Sequence, residues 1–315
     1  MNQSKRLTDG ALWTVIYILL MIIAVYVPVI SLFGLLLLPV PITIYASRYD
    51  WKSAALMGIT AIILSTLTAT VASLPLAVMT VLGGVVIGSA IRQNVSAYET
   101  WARGTLGFVG GLLFVFVFIQ LVFQINLVEQ IEQMMNESWE MTENMMGQFG
   151  VQEQMEETQT VMQDLIGVMI DLFPVFLAGT AVVFAFFSQW ISYKVINKIE
   201  NKNYRFPPFR NLRFPISLIW IYFGAFLLSF FMAESDSSLY IAVQNLFVLV
   251  GLLMAVQGIS FIFFYAHHKK MSKALPVISI ILTVLFPMFF LYLIRIIGII
   301  DLGFGLRDRL GDKKD

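Results

Sequence analysis

The chain has 315 residues, of which 58% are hydrophobic and only 13% charged, with a mean hydropathy of +0.81; a soluble domain carries about a quarter charged residues, so most of this chain belongs in lipid. Lys+Arg and Asp+Glu both number 20, and a net charge of zero offers no basic footprint for nucleic acid. There is no Cys, which excludes disulfides, thiolate nucleophiles and Cys-ligated metals.

A crossing helix needs about 20 apolar residues to traverse about 30 Å of hydrocarbon. The first such run, about 11 to 28, follows Lys5 and Arg6; it has no small-residue cleavage pattern and reads as a retained span rather than a signal peptide. The second, about 30 to 47, carries Pro39 and Pro41 and is expected to be short and broken. The third and fourth cover about 54 to 73 and 75 to 92, and the fifth runs from about Gly104 through Gln124.

A polar stretch then interrupts the pattern from Asn126 to about Asp164. Between Arg103 and Lys194 there is no Lys or Arg, while ten acidic residues fall there: Glu129, Glu132, Glu137, Glu140, Glu143, Glu153, Glu156, Glu157, Asp164 and Asp171. Cytoplasmic loops carry the Lys/Arg excess, so this stretch belongs outside and the N-terminus inside. Leu127, Ile131, Met134, Met141 and Met145, then Val151, Met155, Met162, Ile166 and Met169, recur at helical spacing around Gly147 and Gly150. They predict an acidic, Met-rich helical hairpin that projects from the membrane.

The sixth span ends near Tyr193. The loop after it, 194 to 213, carries Lys194, Lys198, Lys202, Arg205, Arg210 and Arg213 against Glu200 alone, and is read as cytoplasmic. The seventh span (about 214 to 233) leaves at Glu234-Ser235-Asp236, and the eighth (about 239 to 266) returns at His267-His268-Lys269-Lys270. The ninth, about 275 to 297, contains Pro276 and Pro287. A full crossing puts Arg307, Arg309, Lys313 and Lys314 outside, against the positive-inside rule, whereas a re-entrant segment keeps them inside; the sequence is compatible with both. The expectation is an all-α polytopic bundle of eight or nine spans, divided as 1–125, hairpin 126–164, a three- or four-span bundle 165–300 and a polar tail 301–315.

Few features carry chemistry. Glu137, Glu140 and Glu143 lack the His partner that a carboxylate metal helix supplies, and read as a solvated face. His267 and His268 are adjacent beside lysines, and no nucleophile–base set or phosphate loop is visible. No catalytic residue, metal or cofactor is therefore expected, and the chain reads as non-enzymatic. Gly83, Gly84 and Gly88, with Gly104, Gly107, Gly110 and Gly111, are small residues for close helix packing. Polar groups within spans usually mark sites: Gln120, Asp171, Asn245 and Arg295 fall toward the outer side, with Gln257 deeper, and are the candidate ligand residues for a small polar solute.

Three stretches carry a resemblance: Leu82-Gly83-Gly84-Val85-Val86-Ile87-Gly88, Phe206-Pro207-Pro208-Phe209-Arg210-Asn211-Leu212-Arg213-Phe214-Pro215, and Gly298-Ile299-Ile300-Asp301-Leu302-Gly303-Phe304-Gly305-Leu306-Arg307. Together they resemble the YybS family of Gram-positive bacterial membrane proteins. That family is often encoded beside a membrane-bound cyclic-dinucleotide phosphodiesterase, and its N-terminal part, taken here as the five-span bundle 1–125, is similar to the S components of energy-coupling-factor transporters. The resemblance implies a bacterial cytoplasmic-membrane location, about six helices in the S-component part, solute capture from outside, and a coupling subunit with ATPases as partner. The first helix offers Gly10, Ala11 and Thr14, then Ile18, in place of an Ala-x-x-x-Ala docking face, and no binding residue carries over by position. The alternative is a scaffold of envelope or sporulation physiology that recruits another protein through the hairpin and the basic loop.

Overall fold

A computed structural model of the chain describes residues 3–147, 155–232 and 237–311. The expected hairpin turn with Gly150, Val151 and Glu153, the Glu234-Ser235-Asp236 exit, and Asp312, Lys313, Lys314 and Asp315 of the tail lie outside the described residues. All regular elements among the described residues are helical, and eight are long and apolar enough to cross a membrane.

The chain divides into two compact units, Met1–Arg205 and Phe206–Asp315. The first contains α1 (Gln3–Tyr26), α2 (Ser31–Leu37), α3 (Pro39–Arg48), α4 (Trp51–Ala69), α5 (Leu74–Arg92), α6 (Ala97–Val122), α7 (Leu127–Gly147), α8 (Met155–Asp171) and α9 (Phe173–Glu200). The second contains α10 (Ser217–Phe231), α11 (Ser238–His268), α12 (Ala274–Leu285), α13 (Pro287–Phe304) and α14 (Leu306–Gly311). This boundary departs from the division at 165: α9 packs on α3, α5 and α6, so the sixth span closes the N-terminal bundle. The reason is local, since Trp101 Nε1 donates to Val182 O at 2.9 Å and Gln189 Nε2 to Ala97 O at 2.9 Å.

In the first unit, the second span is broken where Pro39 follows Leu38, which is what a residue without an N–H imposes on a helix. The resulting α3 is buried almost throughout, because α5 presents glycine to it. A Cβ at Gly88 would lie 2.4 Å from Thr43 O, and one at Gly84 2.8 Å from Pro39 O. The same helix meets α6 through Gly83, whose Cβ would fall 2.4 Å from the Phe108 ring. In return, Cβ atoms at Gly104, Gly107 and Gly111 would lie 2.5 Å from Ile87, 3.1 Å from Val86 and 2.6 Å from Met79. Close approach of this kind yields dispersion contacts where lipid removes the hydrophobic drive. Gly110 faces open space.

α7 and α8 pack on each other as an antiparallel pair. Ile131, Met135 and Trp139 are half-buried and Ile166 is buried, while Met134, Met141 and Met145 stay exposed.

In the second unit, Ile219, Tyr222, Val250, Met254 and Leu302 form the core. α11 and α13 touch through glycine: a Cβ at Gly258 would lie 2.0 Å from Ile294 O, and one at Gly298 1.9 Å from Met254 O. The pairs Gly251/Arg295, Met254/Gly298 and Gln257/Asp301 advance together along both helices, so α11 and α13 run in the same direction. The expected single ninth span 275–297 is instead two helices. Phe286, at φ −130° and ψ 63°, and Pro287 break it into α12 of 12 residues and α13 of 18 that continues to Phe304. α13 therefore includes Asp301, which had been assigned to the polar tail.

Candidate functional site

Pro207 and Pro208 fix an extended entry into the second unit, and a 3₁₀ turn over Phe209–Asn211 follows, closed by Asn211 N–H on Pro208 O at 2.8 Å. The turn aims its carbonyls at α11 and α14. Ser260 Oγ lies 2.8 Å from Phe209 O and 2.9 Å from Leu212 O, and the Phe214 N–H donates to Gln257 Oε1 at 3.0 Å. The other end of Gln257 donates from Nε2 to Asp301 Oδ2 at 2.5 Å.

α13 ends at Gly305, whose φ of +58° is the left-handed geometry that glycine adopts without strain. That reversal folds Arg307 back onto its own helix. Arg307 Nε donates to Asp301 Oδ2 at 2.9 Å, Nη1 to Arg210 O at 2.8 Å and Leu212 O at 3.0 Å, and Nη2 to Ser260 Oγ at 3.1 Å. Asp301 is 1% exposed and Arg307 7%, so the pair is a buried one. Burial holds the Arg307 guanidinium below its ordinary range, with Asp301 pulling the other way. On the surface beside it, Arg213 binds Asp308 through two bonds of 2.8 and 2.6 Å and holds that carboxyl below the usual range.

Two of the three stretches that carry the family resemblance, 206–215 and 298–307, are thus joined on Gln257 and Ser260 of α11. The third, 82–88, is the glycine face of α5. The joined cluster pairs most of its donors and acceptors within itself, with the buried Asp301 Oδ1 as the exception among the described residues: it is a clamp that sets where the linker lies.

The clamp also sets at which end of the second unit α14 lies. Arg307 and Asp308 meet Arg210, Leu212 and Arg213, so α14 lies at the same end of the second unit as the basic loop. The break at Phe286 brings the chain back to that end. Because the protein has no Cys, single cysteines at Arg309 and at the exposed Asn211 test this without background. Both are expected to react with an impermeant maleimide from the same face of sealed vesicles. Labelling from opposite faces would contradict the clamp.

The first unit has a second charged cluster. Arg48 Nε donates to Glu200 Oε1 at 2.5 Å, Arg48 Nη1 lies 3.5 Å from Asp9 Oδ2, and Tyr49 Oη donates to the same Asp9 oxygen at 2.9 Å. These bonds tie α1, α3 and α9 at their basic ends.

The residues expected to hold a solute are distributed between the units. Gln120 and Asp171 are exposed in the first, on α6 and at the end of α8. In the second, Asn245 is buried and donates to Ile241 O at 2.8 Å, and Arg295 reaches Tyr222 Oη at 3.5 Å beneath the Phe247 and Tyr292 rings. Gln257 belongs to the clamp. Asp301, Arg307 and Ser260 were missed. The readable signal was an acid inside the apolar run Ile299-Ile300-Asp301-Leu302, with an Arg two residues beyond Gly305.

The family model described as a predicted membrane protein, DUF2232, matches residues 15–302, from within α1 to the end of the clamp helix. The chain belongs to the DUF2232 family. Within it, the uncharacterized protein YybS of Bacillus subtilis (strain 168) is 29% identical over 310 residues, covering 98% of this chain and 100% of that one. No solved structure matches the chain. The DUF2232 match spans both units and ends at Leu302, before Arg307 of the clamp.

Proposed function

We propose that this membrane protein is a non-enzymatic solute-binding component of the bacterial cytoplasmic membrane, N-terminus inside, in which the first unit is the S-component-like module. The observation that carries the reading is the span count. Six of the eight candidate spans, Gln3–Tyr26 through Phe173–Glu200, belong to Met1–Arg205, the number that the S-component resemblance implies. The acidic hairpin is an insertion between the fifth and sixth of them. Gln120 and Asp171 are the candidate polar groups of that unit near the hairpin, and Asn245 and Arg295 are those of the second. A coupling subunit with ATPases is the corresponding partner.

A second reading is favoured by a separate observation. Met134, Met141 and Met145 recur on α7 and remain exposed after α8 has covered the neighbouring face. A scaffold would use that stripe to recruit another protein, with the basic loop as a second contact.

Native mass spectrometry of the protein purified from its own membrane in mild detergent separates the two. A retained small molecule, weakened by Asp171→Ala or Arg295→Ala, or a retained coupling subunit, supports the first reading. An empty chain with another protein attached, lost on deletion of 130–160, replaces it with the second.

A further inference from the structure

On the first unit, a groove of about 380 Å³ runs between α1 and α4. We propose that it is a binding site for one anionic glycerophospholipid, with an acyl chain in the groove and the phosphate at Lys5, Arg6 and Lys52. The proposal is independent of the solute-binding reading.

The walls are suited to a hydrocarbon chain. On α1, Gly10 makes room for the Tyr45 ring and Ala11 keeps the wall small, and Leu56 and Leu64 line the opposite side. The two threonines that border it spend their hydroxyls on their own helices. Thr14 Oγ1 donates to Gly10 O at 2.8 Å and Thr60 Oγ1 to Leu56 O at 3.0 Å. What they offer to an occupant is methyl.

The length points to lipid rather than to a protein helix. The groove follows α4 from Ser53 to Leu64 and α1 from Arg6 to Val15. At 1.5 Å per residue the α4 side is about 16 Å long, close to one leaflet of a core about 30 Å thick. A transmembrane partner helix would need a seam through both leaflets.

The charges sit at one end of it. Arg6 lines the groove there, and the exposed Lys5 and Lys52 directly precede the lining residues Arg6 and Ser53 in the chain. Asp50 and Asp9 offset only part of this: the Asp50 carboxylate takes the Ser53 hydroxyl and lies 3.6 Å from Arg6, and Asp9 is engaged by Arg48 and Tyr49. Lys5 and Lys52 make no ion pair among the described residues. Trp51, 61% exposed beside Lys52, marks the headgroup level where such rings settle. An anionic phosphate therefore meets unpaired cations at the depth where its acyl chain enters an apolar channel.

The test is native mass spectrometry of the full chain from nanodiscs with equal palmitoyl-oleoyl phosphatidylglycerol and phosphatidylcholine. One phosphatidylglycerol per chain is expected to be retained in preference to phosphatidylcholine. Lys5→Gln and Lys52→Gln should each lower that retention roughly fivefold. Thr60→Trp, at an exposed position that points into the groove, should abolish retention of either lipid. Equal retention of the two lipids, or retention unchanged by the lysine substitutions, overturns the proposal. So does a protein subunit that occupies the groove and is displaced by Thr60→Trp. The lysine variants lie on the surface and remain informative should Thr60→Trp fail to fold.

Discussion

Arg307→Ala is expected to destabilise the second unit by about 3–5 kcal/mol, the cost of breaking a buried ion pair from one side. The size follows from what is left behind. Asp301 Oδ1 has no hydrogen-bond partner among the described residues, so the carboxylate depends on Oδ2, which Arg307 and Gln257 share. Removing the guanidinium strands that charge at 1% exposure and also releases the Arg210 and Leu212 carbonyls. Asp301→Asn should cost less, because it removes a charge from the pair while Arg307 keeps its carbonyl and Ser260 contacts. Replacing both residues, Asp301→Leu with Arg307→Met, should recover part of the Arg307→Ala loss, since an apolar pair no longer strands a charge. The carbonyls would still be orphaned, so recovery should be incomplete. Thermal unfolding of the detergent-solubilised protein measures all three. An unchanged midpoint for Arg307→Ala would show that the clamp contributes no stability. By comparison, Arg213→Ala should be nearly silent, because Arg213 and Asp308 are exposed and surface pairs contribute little.

The sequence disclosed those features that depend on composition and on period. Apolar runs of spanning length located the helices of the first unit, and Pro39 with Pro41 located the break between α2 and α3. On α7 the 3.6-residue period was readable only in part: Leu127 and Ile131 of the stripe are half-buried, but Met134, Met141 and Met145 are exposed, and Met135 and Trp139 are half-buried in their place. What stayed hidden depends on three-dimensional proximity. Asp301 lies near a chain end and is followed by charged residues, so locally it resembles the start of a tail. Its burial requires α11 to supply Gln257, some 44 residues earlier, and Gly305 to turn Arg307 back. The division at 205 rather than 165 was likewise unreadable. Hydropathy reports that α9 crosses the membrane, but the neighbours of α9 are chosen by Gln189 and by the carbonyl that receives Trp101, and neither leaves a periodic mark.

Gly298→Ala should be as damaging as the loss of Arg307, for a different reason. The added Cβ would stand 1.9 Å from Met254 O and 2.9 Å from Gly258 N, and both are backbone atoms, which cannot rotate away. α11 and α13 would have to separate, and the cost should exceed about 3 kcal/mol, the upper end of ordinary overpacking. Gly258→Ala meets Ile294 O at 2.0 Å and should behave alike. Gly110→Ala and Gly224→Ala supply the opposite sign. Neither Cβ meets anything within 4 Å, so each should be neutral, or stabilising by up to about 1 kcal/mol, because alanine loses less backbone entropy than glycine in a helix. The two large effects are also coupled. Gly298 lies one turn before Asp301, and moving α13 off α11 draws the carboxylate away from Gln257 as well. Gly298→Ala combined with Arg307→Ala should therefore cost clearly less than the sum of the single changes, since the first already opens the contacts that the second removes. Full additivity of the two in thermal unfolding would mean that the glycine seam and the clamp are independent, and that the clamp holds the linker without help from helix packing.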